Sequence, residues 1–413
     1  MTMLLLALAC KDRPAGPNPI TYEPTCEEGD PITLDTVPTW SSGVGQLVAD
    51  KCTGCHVEGG IGPFTLTSYA DAAPMAAAMA NATGARRMPP WMPSSCGDCQ
   101  TWEHDRSLTD EQIATIQAWA DNDAPEGDGG DFAPAAGVEL AHVDATADPM
   151  VEFTPPTTPA DNYRCFLVDA PTDSRAFLTG YEVVPGNPAV VHHVLLYQPV
   201  SAETAAEAEA LDAAEDGEGY TCFGGAGVNA VPVAIWAPGT GATVFPAGTG
   251  LPLSGEKLVL QIHYNVGNGT GADRTTVDLQ IEDDVDFPAS FERVQNTDIA
   301  LAPGEEQIQL DYEQQLGGDG SFRVWGMLPH MHELGQSMSV HAVDGGEDTC
   351  LVDVPAWDFH WQGVYFYEEP VTVAGDATIQ LTCVYDTTSR TETTYAGEGT
   401  EDEMCLSFAY VSL

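Results

Sequence analysis

The sequence predicts a mainly β protein: two tandem β-sandwiches, jelly-roll-like, preceded by a small all-α domain. Three observations carry this. From about residue 148 onward, short alternating runs such as "RAFLTGYEVV", "VVHHVLLYQPV", "KLVLQIHYNV", "FRVWGMLPHMH" and "TIQLTCVYDTT" are separated by Gly, Pro, Asn and Asp clusters, the pattern of sandwich strands and their turns. Between Thr39 and Asp123 apolar residues recur instead at helical spacing. At 413 residues the chain exceeds one ordinary core, and two to three domains are expected.

The composition, 43% apolar with 8% aromatic residues, is that of a globular chain. Its charge is unusual, with 63 acidic residues against 13 Lys and Arg, a formal net charge of −50. Such a field repels nucleic acid and anionic lipid headgroups and suits a solubilising surface in a salty or extracellular setting. The opening "MTMLLLALAC" holds an apolar run from Met3 to Ala9 that is too short to span a bilayer. It resembles the end of a lipoprotein signal, with Cys10 as the residue to be lipidated. It lacks a basic start and has Ala7 where that signal usually has Leu, so a plain secretory signal is the alternative. Either way, residues 1–10 predict export: periplasm, outer-membrane lipoprotein or cell surface. Residues 11–38, rich in Pro, Thr and Glu, read as a tether.

In the helical region, 39–123, Val44, Leu47 and Val48 fall on one face and lead into "DKCTGCH". Near its end, Thr109 with Gln112 three residues on resembles a capping box, and Ile113, Ile116 and Trp119 line one face. "CTGCH" is the Cys-x-x-Cys-His pattern for covalent attachment of haem c. Cys52 and Cys55 would form the thioethers and His56 would ligate the iron. "RRMPPW" offers Met88 as the second axial ligand, with Met92 as the fallback. The region resembles small cytochrome c domains, except that "SSCGDC" adds Cys96 and Cys99, read as a local disulfide or, less readily, a metal half-site. Residues 124–147, beginning "APEGDGGDFAPAAG", read as a linker. The two sandwiches are expected at 148–285 and 286–413, divided near "IEDDVDFPAS". The stretch 201–215 is a helical excursion within the first.

Five of the ten histidines lie in three strand motifs: "VVHHVLLY" (His192, His193), "LQIHYN" (His263) and "LPHMH" (His330, His332). His330 and His332, two apart, share one strand face. His192 and His193 point to opposite faces of a regular strand, so both reach one metal only if the backbone twists there. In the tail, Met404 stands beside Cys405. A thioether with two imidazoles is a soft donor set that suits Cu(I).

"VHHVLLY", "QIHY", "HMHELG" and "CVY…DEMC", in that order over residues 161–413, resemble the type II copper monooxygenases, the family of peptidylglycine α-hydroxylating monooxygenase and dopamine β-hydroxylase. The resemblance implies two copper ions. One is held by His192, His193 and His263 in the first sandwich, the other by His330, His332 and Met404 in the second. It also implies disulfides Cys165–Cys222 and Cys383–Cys405. Cys26, Cys96, Cys99 and Cys350 receive no pairing. If Cys10 carries lipid and two cysteines carry haem, 11 − 1 − 2 = 8 remain, an even number. Gln261, one same-face step before His263, is expected to orient that ligand or to line the electron route.

The implied chemistry is hydroxylation of a C–H bond of a small organic substrate by O₂ at the His330/His332/Met404 copper, with a second electron from the first copper. Electrons would come from an ascorbate-like reductant or redox protein, or through the fused haem. The pattern departs at two positions. Where peptide-acting members carry an Arg two residues before the HxH pair, this chain has Leu328. Where they carry a Tyr four residues after the Met, it has Phe408. A peptidylglycine substrate is therefore not expected, and the pocket is read as more apolar. The alternative is a non-catalytic exported copper and haem electron-transfer or copper-binding protein.

Overall fold

A computed structural model describes residues 32–413 except 59, 61, 96, 98, 134–136, 172–175, 237–239, 268, 398 and 400. Cys10, Cys26, Cys96 and residues 1–31 of the signal and tether lie outside the described residues. Among the described residues the protein is mainly β, and no helix is long and apolar enough to cross a membrane.

Helices Val44–Lys51, Ala76–Gly84 and Asp110–Asp121 enclose a core of Trp40, Val44, Val48, Met79, Ile116 and Trp119. The last helix starts where its residues demand. Thr109 Oγ1 accepts from the Gln112 amide (3.2 Å) and Gln112 Oε1 accepts from the Thr109 amide (2.9 Å). A cap of this kind contributes about 1 kcal/mol.

The helical unit differs from expectation at its end and in its interior. Residues 124–132 are not linker. The Trp40 backbone N–H donates to Pro125 O (2.9 Å), its indole N–H to Asp131 (3.1 Å), and Phe132 packs on the helical core. Trp40 is 2% exposed, so its donors need partners, and the downstream chain supplies them. Residues 91–103, by contrast, leave the unit. Met92 and Trp102 are buried in the core of the C-terminal sheets, and Cys99 is bonded to Cys350, not to Cys96.

A five-stranded sheet runs in the order Tyr220–Thr221, Asp161–Asp169, Lys257–Asn265, Val191–Pro199, Ala230–Trp236. It covers one half of a nine-stranded sheet, burying Phe166, Leu196 and Leu260 against Leu178 and Val277. A four-stranded sheet, Ile308–Gln315, Thr378–Tyr385, Gly335–Asp344, Glu347–Val354, covers the other half. There Val340 and Leu381 pack on Val324, Met327 and Val411. The long sheet is continuous because strand Phe287–Asn296 pairs antiparallel with Cys405–Ser412 and, at Phe287 and Pro288, parallel with Thr249 and Gly250. Trp325, Phe366 and Tyr410 of the later strands lie in the first core. Each fully buried side chain of this size contributes about 1.5–3 kcal/mol, so shared burial couples the two layers strongly. The helical excursion forms as Ala202–Ala214, capped by Ser201 and Thr204.

Candidate metal centres

Strand Val191–Pro199 is flanked by Lys257–Asn265, and the ladder slips between Val191 and His193. This bulge inserts His192 as an extra residue and turns adjacent side chains to one side. It is the twist that two neighbouring histidines needed. His193 is the cross-strand partner of His263, and their Nδ1 atoms lie 3.1 Å apart. His192 Nδ1 lies 3.4 Å from His193 Nδ1. His263 Nε2 donates to Asp161 Oδ1 at 2.9 Å, so its Nδ1 carries the lone pair. Three imidazole nitrogens thus converge, an arrangement a cation satisfies; the donor atoms of all three fall within 4.8 Å. The carboxylate behind His263 is the outer partner a metal-ligating His normally has. Tyr163 stacks on the His263 ring, 4.2 Å centroid to centroid and 3° from parallel. Phe223 meets Tyr163 edge-on at 5.1 Å.

The second cluster sits where strand Ser321–His330 ends. His330 and His332 rings are 5.2 Å apart and perpendicular. His330 Nδ1 donates to Gln362 Oε1 (2.5 Å) and His332 Nδ1 donates to the Asp402 carbonyl (3.0 Å). His330 therefore keeps its lone pair on Nε2. His330 and Leu406 are the last cross-strand pair of their ladder, and Met404 immediately precedes the strand Cys405–Ser412. Met404 is held by its backbone: its carbonyl accepts from Tyr385 (2.8 Å), and Cys405 beside it is bonded to Cys383. Glu403 completes the turn. Its carboxylate accepts from the amides of His332 (3.0 Å), Leu334 (2.7 Å) and Met404 (3.2 Å), tying the two ligand-bearing segments together. Burial pushes its pKa up to about 7 in spite of those three donors. Gly335 is required here, since a Cβ would lie 2.7 Å from the Trp357 ring.

Burial is the main force on the imidazoles. It pushes His263 down to about 4, helped by His192 and opposed by Asp161. It pushes His330 down to about 4, helped by His332. His193 falls well below the usual value through burial, then His263 and His192, then His330 and His332 of the other cluster.

Gln261 behaves differently from expectation. Its amide donates to the Gly225 carbonyl (2.6 Å) and approaches Cys222 Sγ (3.6 Å), which is bonded to Cys165. It braces the loop that carries Phe223 instead of orienting His263. In the helical unit, Cys52 and Cys55 are free thiols and His56 Nδ1 donates to the Phe64 carbonyl (3.0 Å), which leaves Nε2 for an iron. Met88 is half-buried; Met92, the fallback, is 4% exposed and its sulfur accepts from the Asp358 amide (3.4 Å). Met92 is therefore withdrawn as a haem ligand. Asp161, Tyr163, Gln362 and Glu403 were not singled out from sequence. Glu403, an acid abutting an apolar strand in "DEMC", was the most legible of them; Gln362 gave no signal.

A mainly β chain with a triple-imidazole cluster in one layer pair and a His-x-His turn followed in the next by a buried Met segment carries two candidate metal centres. It belongs to the copper type II ascorbate-dependent monooxygenase family, whose N-terminal domain matches residues 149–270 and C-terminal domain residues 305–411. Its relatives include the peptidylglycine alpha-amidating monooxygenase of Rattus norvegicus, 27% identical over 266 residues, covering 61% of this chain and 25% of that one. The tyramine beta-hydroxylase of Caenorhabditis briggsae is 23% identical over 55% of this chain and 40% of its own. The dopamine beta-hydroxylase of Rattus norvegicus is 22% identical over 67% and 47%. The chain spans a quarter to under half of the length of these relatives. Among solved structures, an allantoicase covers 60% of this chain and 77% of its own at 12% identity, with a TM-score of 0.17, too slight a likeness to carry an argument.

Proposed function

We propose that this chain is an exported copper monooxygenase that hydroxylates a C–H bond of a small, apolar or aromatic substrate. The observation that carries the reading is the pair of imidazole clusters, His192, His193 and His263 in one and His330 and His332 in the other. The residues fit copper. His192, His193 and His263 would hold one ion, and His330, His332 and Met404 the other. Two nitrogens and a thioether suit the reduced ion and leave a coordination position open. Copper supplies the reduction of O₂ and the activation needed to break the C–H bond. The balance is substrate R–H plus O₂, two electrons and two protons, giving R–OH and water.

The protein's own part is to hold neutral imidazoles in place and to shape the pocket. Asp161 and Gln362 fix the ring tautomers of His263 and His330, and the Asp402 carbonyl holds the His332 ring. Leu328 and Phe408 offer the substrate an apolar wall with no group to grip a carboxylate. Cys52, Cys55, His56 and Met88 would hold haem c, which supplies one-electron transfer to the copper domains in place of, or after, an ascorbate-like reductant or redox protein.

The test is substrate-dependent oxygen uptake by the haem- and copper-loaded chain across small aromatic and aliphatic compounds. Uptake coupled to a hydroxylated product, abolished in Met404→Ala with haem and first-site copper retained, supports the enzyme. The missing carboxylate anchors favour one rival, a copper and haem electron-transfer protein. Full metal loading with reversible redox but no substrate-dependent uptake would establish that rival instead.

A further inference from the structure

The segment between helix Ala76–Gly84 and helix Asp110–Asp121 does not stay with them. Immediately after Met88 the chain crosses to the C-terminal sheets and is fastened there along residues 91–103. Ser94 N–H donates to Asp353 O (2.7 Å), Glu103 N–H to Phe366 O (2.8 Å), and Glu368 N–H to Thr101 O (3.0 Å). Gln100 Nε2 donates to Cys350 O (2.6 Å), and the Cys99–Cys350 disulfide closes a separation of 251 residues. Trp91 meets Tyr365 edge-on at 5.1 Å, and Trp102 packs on Tyr365 and Tyr367 at 6.0 and 5.2 Å.

What this strap touches is the loop that holds the second imidazole cluster. Met92 accepts from the Asp358 amide, and Tyr365 donates its hydroxyl to Trp361 O (3.1 Å). The next residue, Gln362, accepts from His330, while Trp357 donates its indole N–H to His332 O (3.1 Å). Trp91 stands three residues after Met88 in the chain, and from it contacts run unbroken through Tyr365, Trp361 and Gln362 to His330.

We infer that Trp91 and the Cys99–Cys350 staple are positioning residues that deliver electrons from the haem segment directly to the His330/His332/Met404 centre, bypassing the first cluster. This rests on the reading of Cys52, Cys55 and His56 as a haem attachment. In the step, one electron leaves ferrous haem and reduces Cu(II) to Cu(I); the iron becomes ferric and no proton moves. A small one-electron reductant restores the haem. The disulfide locks a junction also held by the Ser94, Glu103 and Glu368 backbone hydrogen bonds and by the Trp102–Tyr367 bridge.

The test uses the full oxidised chain loaded with haem and copper, mixed anaerobically with less than one electron equivalent of dithionite. The reduced haem band rises and then decays as the electron moves on, and freeze-quenched EPR shows which Cu(II) signal is lost. The decay is expected to survive His263→Ala, which empties the first centre, and to slow about tenfold or more in Trp91→Leu, with Trp91→Phe restoring it. The haem spectrum and copper content of the Trp91 variants report on folding, and Cys99→Ser with Cys350→Ser is the second route to the same slowing. Loss of the decay in His263→Ala, or an unchanged rate in both Trp91→Leu and the Cys double variant, would overturn the inference. A chain that binds no haem, or a wild-type haem that never passes its electron to copper, would instead overturn the parent reading, and this one with it.

Discussion

Leu328 and Phe408 are cross-strand partners, one on each side of the ladder that ends at His330 and Leu406. Leu328 is 5% exposed and lies one same-face step before His330. The two departures from the peptide-acting pattern are therefore one local change: a donor pair replaced by an apolar pair beside the second centre. Substrates with a free carboxylate should gain nothing there. Leu328→Arg with Phe408→Tyr is expected to lower KM for a carboxylate-bearing aromatic substrate by about tenfold or more, the scale of a charge-assisted bidentate contact. Steady-state oxygen uptake on matched substrates with and without the carboxylate measures it, and an equal change in both would refute the assignment.

Glu403 is fully buried and accepts three backbone N–H groups from the two segments that carry His332 and Met404. Replacing it by Gln leaves an amide that can accept on one side only and sets an N–H₂ against donors. We expect Glu403→Gln to cost about 2 kcal/mol in denaturant unfolding. Copper stoichiometry should fall from two toward one as the second centre loosens. Retention of both ions at wild-type affinity would show that the clamp is merely structural.

Much of this site is written in local spacing. His330 and His332 share a face because strand side chains alternate, and Thr109–Gln112 capped its helix as its residue types require. The adjacency of His192 and His193 was ambiguous from sequence because it needs a bulge, and a bulge depends on the neighbouring strand as well as on the pair itself. The Cys99–Cys350 bond and the strap around it were illegible: partners 251 residues apart leave no local periodicity, and "SSCGDC" suggested a short-range bridge. Gln362 was equally silent, a polar residue in a loop whose role comes only from the ring it meets. The shared nine-stranded sheet was hidden for the same reason, since strand alternation identifies faces but not the partner across the ladder.

Asp161 sets the tautomer of His263 through a single 2.9 Å bond and also accepts from Asn265 (2.9 Å). Outer partners of this kind typically govern metal affinity by 10–100-fold. Asp161→Asn is expected to weaken the first copper by about that factor, 10–100-fold, and to leave the second untouched. Competitive chelator titration, read by EPR of each Cu(II) signal, separates the two. Equal weakening at both centres would mean that Asp161 acts through the fold and not through His263.

The depressed imidazoles make a pH prediction whose sign can be worked out. His263 and His330 titrate at about 4 in the folded chain against an ordinary value near 6.5, chiefly because burial disfavours the charged form. As pH falls, the unfolded chain takes up these protons first. The stability linked to these groups is therefore complete above about pH 6.5 and is lost as pH falls through about 4. Copper-free protein should accordingly show a falling urea midpoint between about pH 7 and pH 5, while the folded, neutral rings still bind copper at about pH 5, where exposed histidines have begun to release it. Unfolding midpoints and bound copper at the two pH values check both halves. His263→Gln with His330→Gln should flatten the copper-free slope, and a slope unchanged in that variant would place the acid sensitivity elsewhere.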